Sequence, residues 1–381
     1  MTSTPHTFYE FFAGGGMARL GLGDQWKCLF ANEWSEKKAS AYRANFPPAR
    51  ELVVDDVWNL DASDLPGQAD LAWASFPCQD LSLAGNGAGL DGDRSGTVVK
   101  FWDLMHDLAQ VGRGVPIVVL ENVVGALTSN GGSDFRAIAE LTSGAGYRFG
   151  GMVIDAARFV PQSRPRLFIV AISDLLRIPD ESVAAVPGQW HTPRLREAVE
   201  KLPAQIRDRW VWWNPRCPLI KGRTLDEIID YDDPIGWHTD EQTRRLLDLM
   251  SDINRAKVQQ AKAYGKRIVG TVYKRVRNEN GIKSQRAEVR FDQISGCLRT
   301  PTGGSSRQTI LVVERKSVRS RLLTPREAAR LMGLPETYRL PPKYNDAYHI
   351  SGDGVVVPVV SWLEQNLLRP LASHAELMKA A

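Results

Sequence analysis

The chain has 381 residues, 43% of them hydrophobic and 24% charged, with a mean hydropathy of -0.27, values ordinary for a globular chain able to bury a large core in one big and one smaller lobe. No apolar stretch is long enough to span a bilayer, and the start MTSTPHTFYEFF lacks the basic-then-apolar layout of a signal peptide, so a cytoplasmic protein without a membrane partner is expected. The net charge of +4 indicates no partner by itself.

In chain order, strands are expected at Thr7–Phe12, Cys28–Asn32, Asp70–Ala74, Pro116–Glu121, Phe149–Ile154 and Leu167–Ile172. Helix-compatible spacing falls between them at Met17–Gly21, Ser35–Asn45, Val98–Val111 and Ser133–Ser143. Strands alternating with helices predict an α/β domain with a mostly parallel sheet covered on both faces. From about Pro187 to Val318 the alternation stops, and the chain is rich in Trp, Arg, Gly and Pro with one helical stretch inside Leu225–Lys262. So much irregular chain has a functional cause more often than not. Trp210, Trp212 and Trp213 are expected to form the small core of that region. Helical periodicity returns in TPREAARLMGL, with Thr324 as N-cap and Pro325 at the first helical position, and again at Val355–Leu368.

Lys257 to Arg299 holds eleven basic residues against three acids, which reads equally as a solvated face or as a polyanion-binding one. Cys28, Cys78, Cys217 and Cys297 form no CxxC pair and the six histidines no HExxH, so neither a metal nor a disulfide framework is expected.

The glycine-rich turn FAGGGMARLGLG (Phe12 to Gly23) between a strand and a helix lets backbone approach a ligand closely. The second strand ends in Asn32-Glu33-Trp34, an acid for a ribose beside an indole for an adenine. Asp56, with Val57 next to it, falls where an adenine amino group could be met, although each acid also suits a strand-end cap. The run Leu71 to Phe76 stops at Pro77 and delivers Cys78 to the sheet's carboxyl edge, either as a nucleophile or as a small buried hydrophobe. IVVLENV ends in Glu121-Asn122, a carboxylate leaving an apolar strand that needs a partner or a task. In VPQSRPRLFIVAI, alternation is expected to put Arg164 and Arg166 on one strand face.

FFAGGG, NEW, FPCQDLS, ENV, PQSRPR and LTPREAARLMG, in this order, resemble the motifs of cytosine-5 DNA methyltransferases. The likeness covers nearly the whole chain outside about 187–318. It implies a Rossmann-like S-adenosylmethionine-dependent methyltransferase domain at 1–186 and 319–381, with a target-recognition domain at 187–318. By the same resemblance Cys78 is the nucleophile, Glu121 holds the cytosine, Arg166 contacts its ring and Arg164 supports the loop. Phe12, Ala13, Gly14, Gly16, Met17, Glu33, Trp34, Asp56, Val57, Pro77, Gly354 and Val355 line the methyl-donor pocket. Gly352-Asp353-Gly354 departs from the family's usual Gly-Asn-Ser/Ala, which puts an extra negative charge beside the donor.

A cytosine inside a duplex is inaccessible, so the resemblance also implies base flipping. Gln79 and Asn122 flank the catalytic residues, and Ser82 and Arg94 lie on a glycine-rich loop suited to covering the base. Arg299, Thr300, Arg307 and Gln308, in RFDQISGCLRTPTGGSSRQ, are candidate DNA contacts, to base edges or to phosphates. The expected partner is double-stranded DNA and the expected state a monomer; a separately encoded restriction endonuclease is left open. Three other readings compete: a tRNA cytosine-5 methyltransferase of the same family, a nicotinamide dehydrogenase with a similar glycine turn, and a catalytically silent DNA-binding module. The basic central region favours DNA over tRNA. The dehydrogenase leaves PCQ, ENV and the paired arginines unexplained.

Overall fold

The computed structural model describes residues 4–77, 96–218, 222–232, 236–279, 282–300 and 307–380. Cys78, Gln79, Ser82 and Arg94 lie outside the described residues, as does 301–306 of the proposed recognition segment. The chain forms two compact units, one of residues 1–155, 165–218 and 359–381, the other of 156–164 and 219–358. These boundaries differ from the 187 and 318 expected from composition.

The first unit is built on β1 (His6–Phe11), β2 (Trp26–Asn32), β3 (Leu52–Val53), β4 (Leu71–Ala74), β5 (Ile117–Val123), β6 (Tyr147–Asp155) and β7 (Pro165–Ser173). Among the described residues these make a seven-stranded sheet in the order β3-β2-β1-β4-β5-β7-β6. The β1–β2, β1–β4, β2–β3 and β4–β5 pairings are parallel, while β7 runs antiparallel to both neighbours. This is a Rossmann-like α/β architecture. The chain leaves β1 toward β2 and β3 on one side and returns to β4 and β5 on the other. The carboxyl ends of β1 and β4 therefore border the switch point where such sheets take ligands.

Both sheet faces are apolar, as a doubly covered parallel sheet requires. Tyr9, Phe11, Ala72, Ala74, Val118 and Leu120 point to one face, where α3 (Thr97–Gln110) supplies Phe101, Trp102 and Met105 and α4 (Ser133–Gly144) supplies Phe135 and Ile138. Phe8, Trp73, Val119, Phe168 and Val170, alternating with these, are buried on the other. Near the C-terminus, the helix Val357–Leu363 runs through a π-helical turn into a second helix, Arg369–Ala380. Ser361 donates to the Gly21 carbonyl at 2.9 Å, and Glu364 accepts from the Trp26 indole at 2.9 Å, which fixes this end of the chain to β2 and its approach.

The tryptophans expected in the central region belong to this sheet instead. The Phe149 and Val211 amides exchange bonds with the Arg209 and Phe149 carbonyls, so 209–213 runs along the edge strand β6 and covers it. Trp213 is fully buried and donates to the Val170 carbonyl at 3.0 Å, and Trp210 packs edge-on against Phe149 and Phe135.

The second unit centres on a sheet in the order β11-β10-β8-β9, formed by β8 (Ile268–Glu279), β9 (Ile282–Arg290), β10 (Thr309–Glu314) and β11 (Ser317–Leu322). The helical stretch expected within 225–262 is two helices, Asp240–Asp248 and Asp252–Ala263, whose Leu246, Val258 and Ala261 pack on Val272, Val289 and Leu311. The helix Pro325–Leu331 begins as expected, with Thr324 and Glu327 forming a reciprocal capping box and Pro325 in the first turn. Among the described residues no helix is long and apolar enough to cross a membrane, and no group of three or more His, Cys, Asp or Glu is placed to hold a metal ion.

Candidate active site

The turn after β1 is held in an unusual backbone shape. Phe12 has a φ of 57°, Gly14 57° and Gly16 76°, all in the left-handed region. Glycine at 16 is also required by space, since a Cβ there would lie 2.3 Å from the Phe46 ring. Among the described residues a Cβ at Gly14 would meet nothing within 4 Å, so this part of the turn faces open space there. Ala13 and Met17 are buried beneath it.

At the end of β2, Glu33 is buried, and its two oxygens are divided between backbone donors: the Gly14 amide at 2.8 Å and the Ser35 amide at 2.9 Å. The acid thus ties the glycine turn to the start of α2 (Glu36–Asn45), with lone pairs to spare. Trp34 next to it is 72% exposed, an unusual state for an indole. Asp56 accepts from the Trp58 amide at 3.1 Å and caps a short 3-10 turn in which Val57 is buried. It thus caps a turn rather than a strand end.

Strand β4 is followed by the buried Phe76 and the exposed Pro77. Asn122 fixes that end, donating from Nδ2 to the Phe76 carbonyl at 3.0 Å while its own Oδ1 accepts from the Val123 amide at 2.7 Å. Its side chain is therefore committed to the chain entering Cys78. Glu121, 6% exposed, faces Phe168 across the β5–β7 pair, and Arg166 faces Val123, which places the two charged residues diagonally on one face. Arg166 Nε lies 3.3 Å from Glu121 Oε1.

Arg164 does not share that strand face. It precedes Pro165, where β7 starts, and belongs to the second unit. Its guanidinium is buried and donates to the carbonyls of Leu298 at 2.9 Å, Gly352 at 2.8 Å and Gly354 at 2.9 Å. Two residues earlier, Gln162 donates to the Leu331 carbonyl at 2.8 Å and accepts from the Leu298 amide at 3.0 Å. These two side chains bind the short segment 156–164 into the second unit.

The other expected contacts of that unit divide clearly. Arg299 is exposed, and Thr300 donates to Asp353, the residue that departs from the family pattern. Gly352 permits this contact, since a Cβ there would lie 2.9 Å from the Arg299–Thr300 backbone. Val355 is buried. Arg307 donates to Asn345 at 2.7 Å and lies over the Tyr344 ring. Gln308 is no base reader: it is buried, and its Nε2 donates to the Val272 carbonyl at 3.0 Å, inside the β8–β10 sheet.

One cluster had no motif to announce it. Glu10, in the middle of β1, is buried on the face opposite Tyr9 and Phe11; Oε1 takes the Arg19 amide at 3.3 Å, and Oε2 has no hydrogen-bond partner among the described residues. Desolvation pushes its pKa up from 4.5 to about 8. Nearby, Arg19 of α1 (Met17–Leu22) donates to the Tyr42 hydroxyl at 2.7 Å and pairs with Glu51. Burial also pushes the Cys28 thiol up to about 12, which leaves it inert at neutral pH. No local signal in HTFYEF marks this acid as buried.

Glu10 binds its proton more tightly in the folded chain than in the unfolded one. Its contribution to stability is complete below pH 4.5 and is lost as pH rises through about 8. Glu10→Gln stays neutral throughout. Its urea midpoint is expected to match the native chain near pH 5 and to exceed it near pH 9; equal midpoints at both pH values would contradict this account.

The profile of the family described as C-5 cytosine-specific DNA methylase matches residues 6–369. Type II methyltransferase M.BsuFI of Bacillus subtilis is 35% identical over 178 residues, 46% of this chain and 41% of that protein. Type II methyltransferase M.HhaI of Haemophilus parahaemolyticus is 25% identical over 366 residues, 94% of this chain and 93% of that protein. The crystal structure of S. pombe Dnmt2 methyltransferase superposes with a TM-score of 0.59 at 14% identity, covering 97% of this chain and 99% of that one, a likeness of fold.

Proposed function

The chain belongs to the C-5 cytosine-specific DNA methylase family, and from that premise we propose that it methylates carbon 5 of a cytosine in double-stranded DNA through a covalent Cys78 adduct. What carries the reading is the Glu121–Arg166 pair, where the carboxyl end of β5 meets the amino end of the antiparallel β7, one strand away from the β4 end that Asn122 anchors. A carboxylate and a guanidinium held together there suit the hydrogen-bonding edge of a pyrimidine ring.

The target base leaves the duplex stack, at a cost of a few kcal/mol that contacts in the site offset. Cys78 adds as thiolate to carbon 6, and the electron pair of the 5,6 double bond becomes available at carbon 5. Glu121 gives a proton to ring nitrogen 3 as the adduct forms, takes it back on elimination and accepts a hydrogen bond from the exocyclic amine, Arg166 orients Glu121 and contacts the ring, and Gln79, Ser82 and Arg94 lie on the segment that follows the nucleophile. S-adenosylmethionine supplies the methyl group when bound. A water then removes the carbon 5 proton, the double bond reforms and Cys78 leaves as thiolate.

The first unit fits such a donor. The open space over Gly14, the Glu33 carboxylate at the turn and the exposed Trp34 indole are the features a methionine tail, a ribose and an adenine require. Phe12, Asp56, Val57 and Pro77 complete the set, and Gly354 and Val355 are assigned to it by motif. The second unit, which contains 219–318 of the expected recognition domain, carries target recognition, with Arg299 and Arg307 as candidate contacts.

Transfer of a tritiated methyl group to duplex DNA against folded tRNA tests the substrate. Label in DNA is expected, at cytosine by bisulfite sequencing; label confined to tRNA would overturn the DNA reading.

A further inference from the structure

Strand β8 is twice as long as its sheet supports. It pairs with β10 only through Ile268–Val272, whereas its pairing with β9 continues from Thr271 to Glu279. The seven residues from Tyr273 therefore project with β9 as a two-stranded ribbon, roughly 20 Å long at the usual rise per residue. The apolar core of the unit stops at the root, with Val272, Ala287 and Val289. Tyr273 anchors that root, its hydroxyl filling the space over the Gly296 backbone. Farther out, Val276 is 64% exposed. A ribbon without a core beneath it is marginal in water.

Its charge makes the isolation harder to explain by folding alone. Lys274, Arg275, Arg277, Lys283 and Arg286 stand against Glu279 and Glu288. Arg275 lies directly opposite Arg286 in the ladder, a like-charge pairing that costs stability. Arg275, Arg277 and Arg286 share one face with Glu288, the single acid that both Arg277, at 3.0 Å, and Arg275, at 3.7 Å, approach. Cations opposed across a projecting ribbon are stabilised by a polyanion. A major groove about 12 Å wide admits a two-stranded ribbon between its phosphate walls.

We propose that the β8–β9 ribbon is a duplex-DNA-binding element whose Arg275, Arg277 and Arg286 grip backbone phosphates. The inference rests on the DNA reading given above and adds the part of the chain that holds the duplex. Glu288 then acts as a brake, since it competes with phosphate for two of the three guanidinium groups.

The test is the salt dependence of binding to a 30-base-pair duplex of mixed sequence. Every phosphate that the protein ceases to neutralise lowers the slope of log K against log salt by about 0.9. The triple variant R275A/R277A/R286A is expected to reduce that slope by about 2 to 3, and R275K/R277K/R286K to keep it. Glu288→Gln is expected to tighten binding. Thermal unfolding of each variant at the native midpoint separates these effects from misfolding. A wild-type chain that methylates DNA, together with a folded triple variant of unaltered slope, would overturn the ribbon assignment and leave the methyltransferase reading intact. A triple variant that loses affinity for folded tRNA and not for duplex would also overturn it. A wild-type chain that methylates no DNA removes the reading and this inference together.

Discussion

Cys78→Ser is expected to lower methyl transfer at least roughly 10^4-fold, since removal of a catalytic nucleophile leaves only the contribution of binding and positioning. Serine keeps the size of the side chain but remains protonated at neutral pH, whereas a thiol near its ordinary pKa of about 8.5 supplies usable thiolate. Affinity for duplex DNA is expected to survive, because neither the Glu121–Arg166 pair nor the basic ribbon depends on the sulfur atom. Steady-state transfer and duplex binding, measured on one preparation, check both halves. A serine variant with native turnover would remove the covalent step.

Glu327→Ala is expected to cost about 3–5 kcal/mol of stability, the usual penalty for breaking a buried ion pair from one side. Glu327 and Arg321 are both 0% exposed and joined by two parallel bonds of 2.6 and 2.8 Å. The same carboxylate accepts the amides of Asp230 and Thr324, each at 2.8 Å, so it closes the capping box of the helix Pro325–Leu331 and fastens the 230 segment at once. Its loss leaves a guanidinium in the core with the Asp230 and Leu322 carbonyls and the face of Trp237 but no counter-charge from Glu327. Adding Arg321→Met to the alanine variant is expected to recover part of the loss, because the orphaned charge disappears. Urea unfolding of the two variants decides. A single variant within about 1 kcal/mol of the native chain would show that water reaches the pair.

The sheet of the first unit was legible because its strands are apolar runs closed by Gly, Pro or a charged residue. Strand β3 was not, since two residues carry no period. The direction of β7 was equally hidden: VPQSRPRLFIVAI reads the same whether the strand runs with its neighbours or against them. Proline explains the misplaced arginine. Arg164 precedes Pro165, a position biased away from simple continuation of an element, and its side chain satisfies carbonyls more than 130 residues away. No local pattern predicts such bonds, which is also why 156–164 fell to the second unit. The site residues on strand ends, Glu33, Glu121 and Arg166, were readable because charge at the end of an apolar run is costly without a purpose. Gln308 was misread for the complementary reason, since a polar side chain in a basic loop looks exposed until its backbone partner is known. Glu10 escaped because nothing in HTFYEF distinguishes a buried acid from one facing water.

Incubating the protein with its methyl donor and a duplex carrying 5-fluorocytosine tests the central step most directly. Fluorine cannot leave as a cation, so a chain that attacks carbon 6 and methylates carbon 5 stays joined to the strand. Intact mass is expected to show protein plus methylated oligonucleotide, resistant to denaturation and absent from Cys78→Ala. Methylation of ordinary duplexes with no trapped species on the fluorinated one would contradict the account.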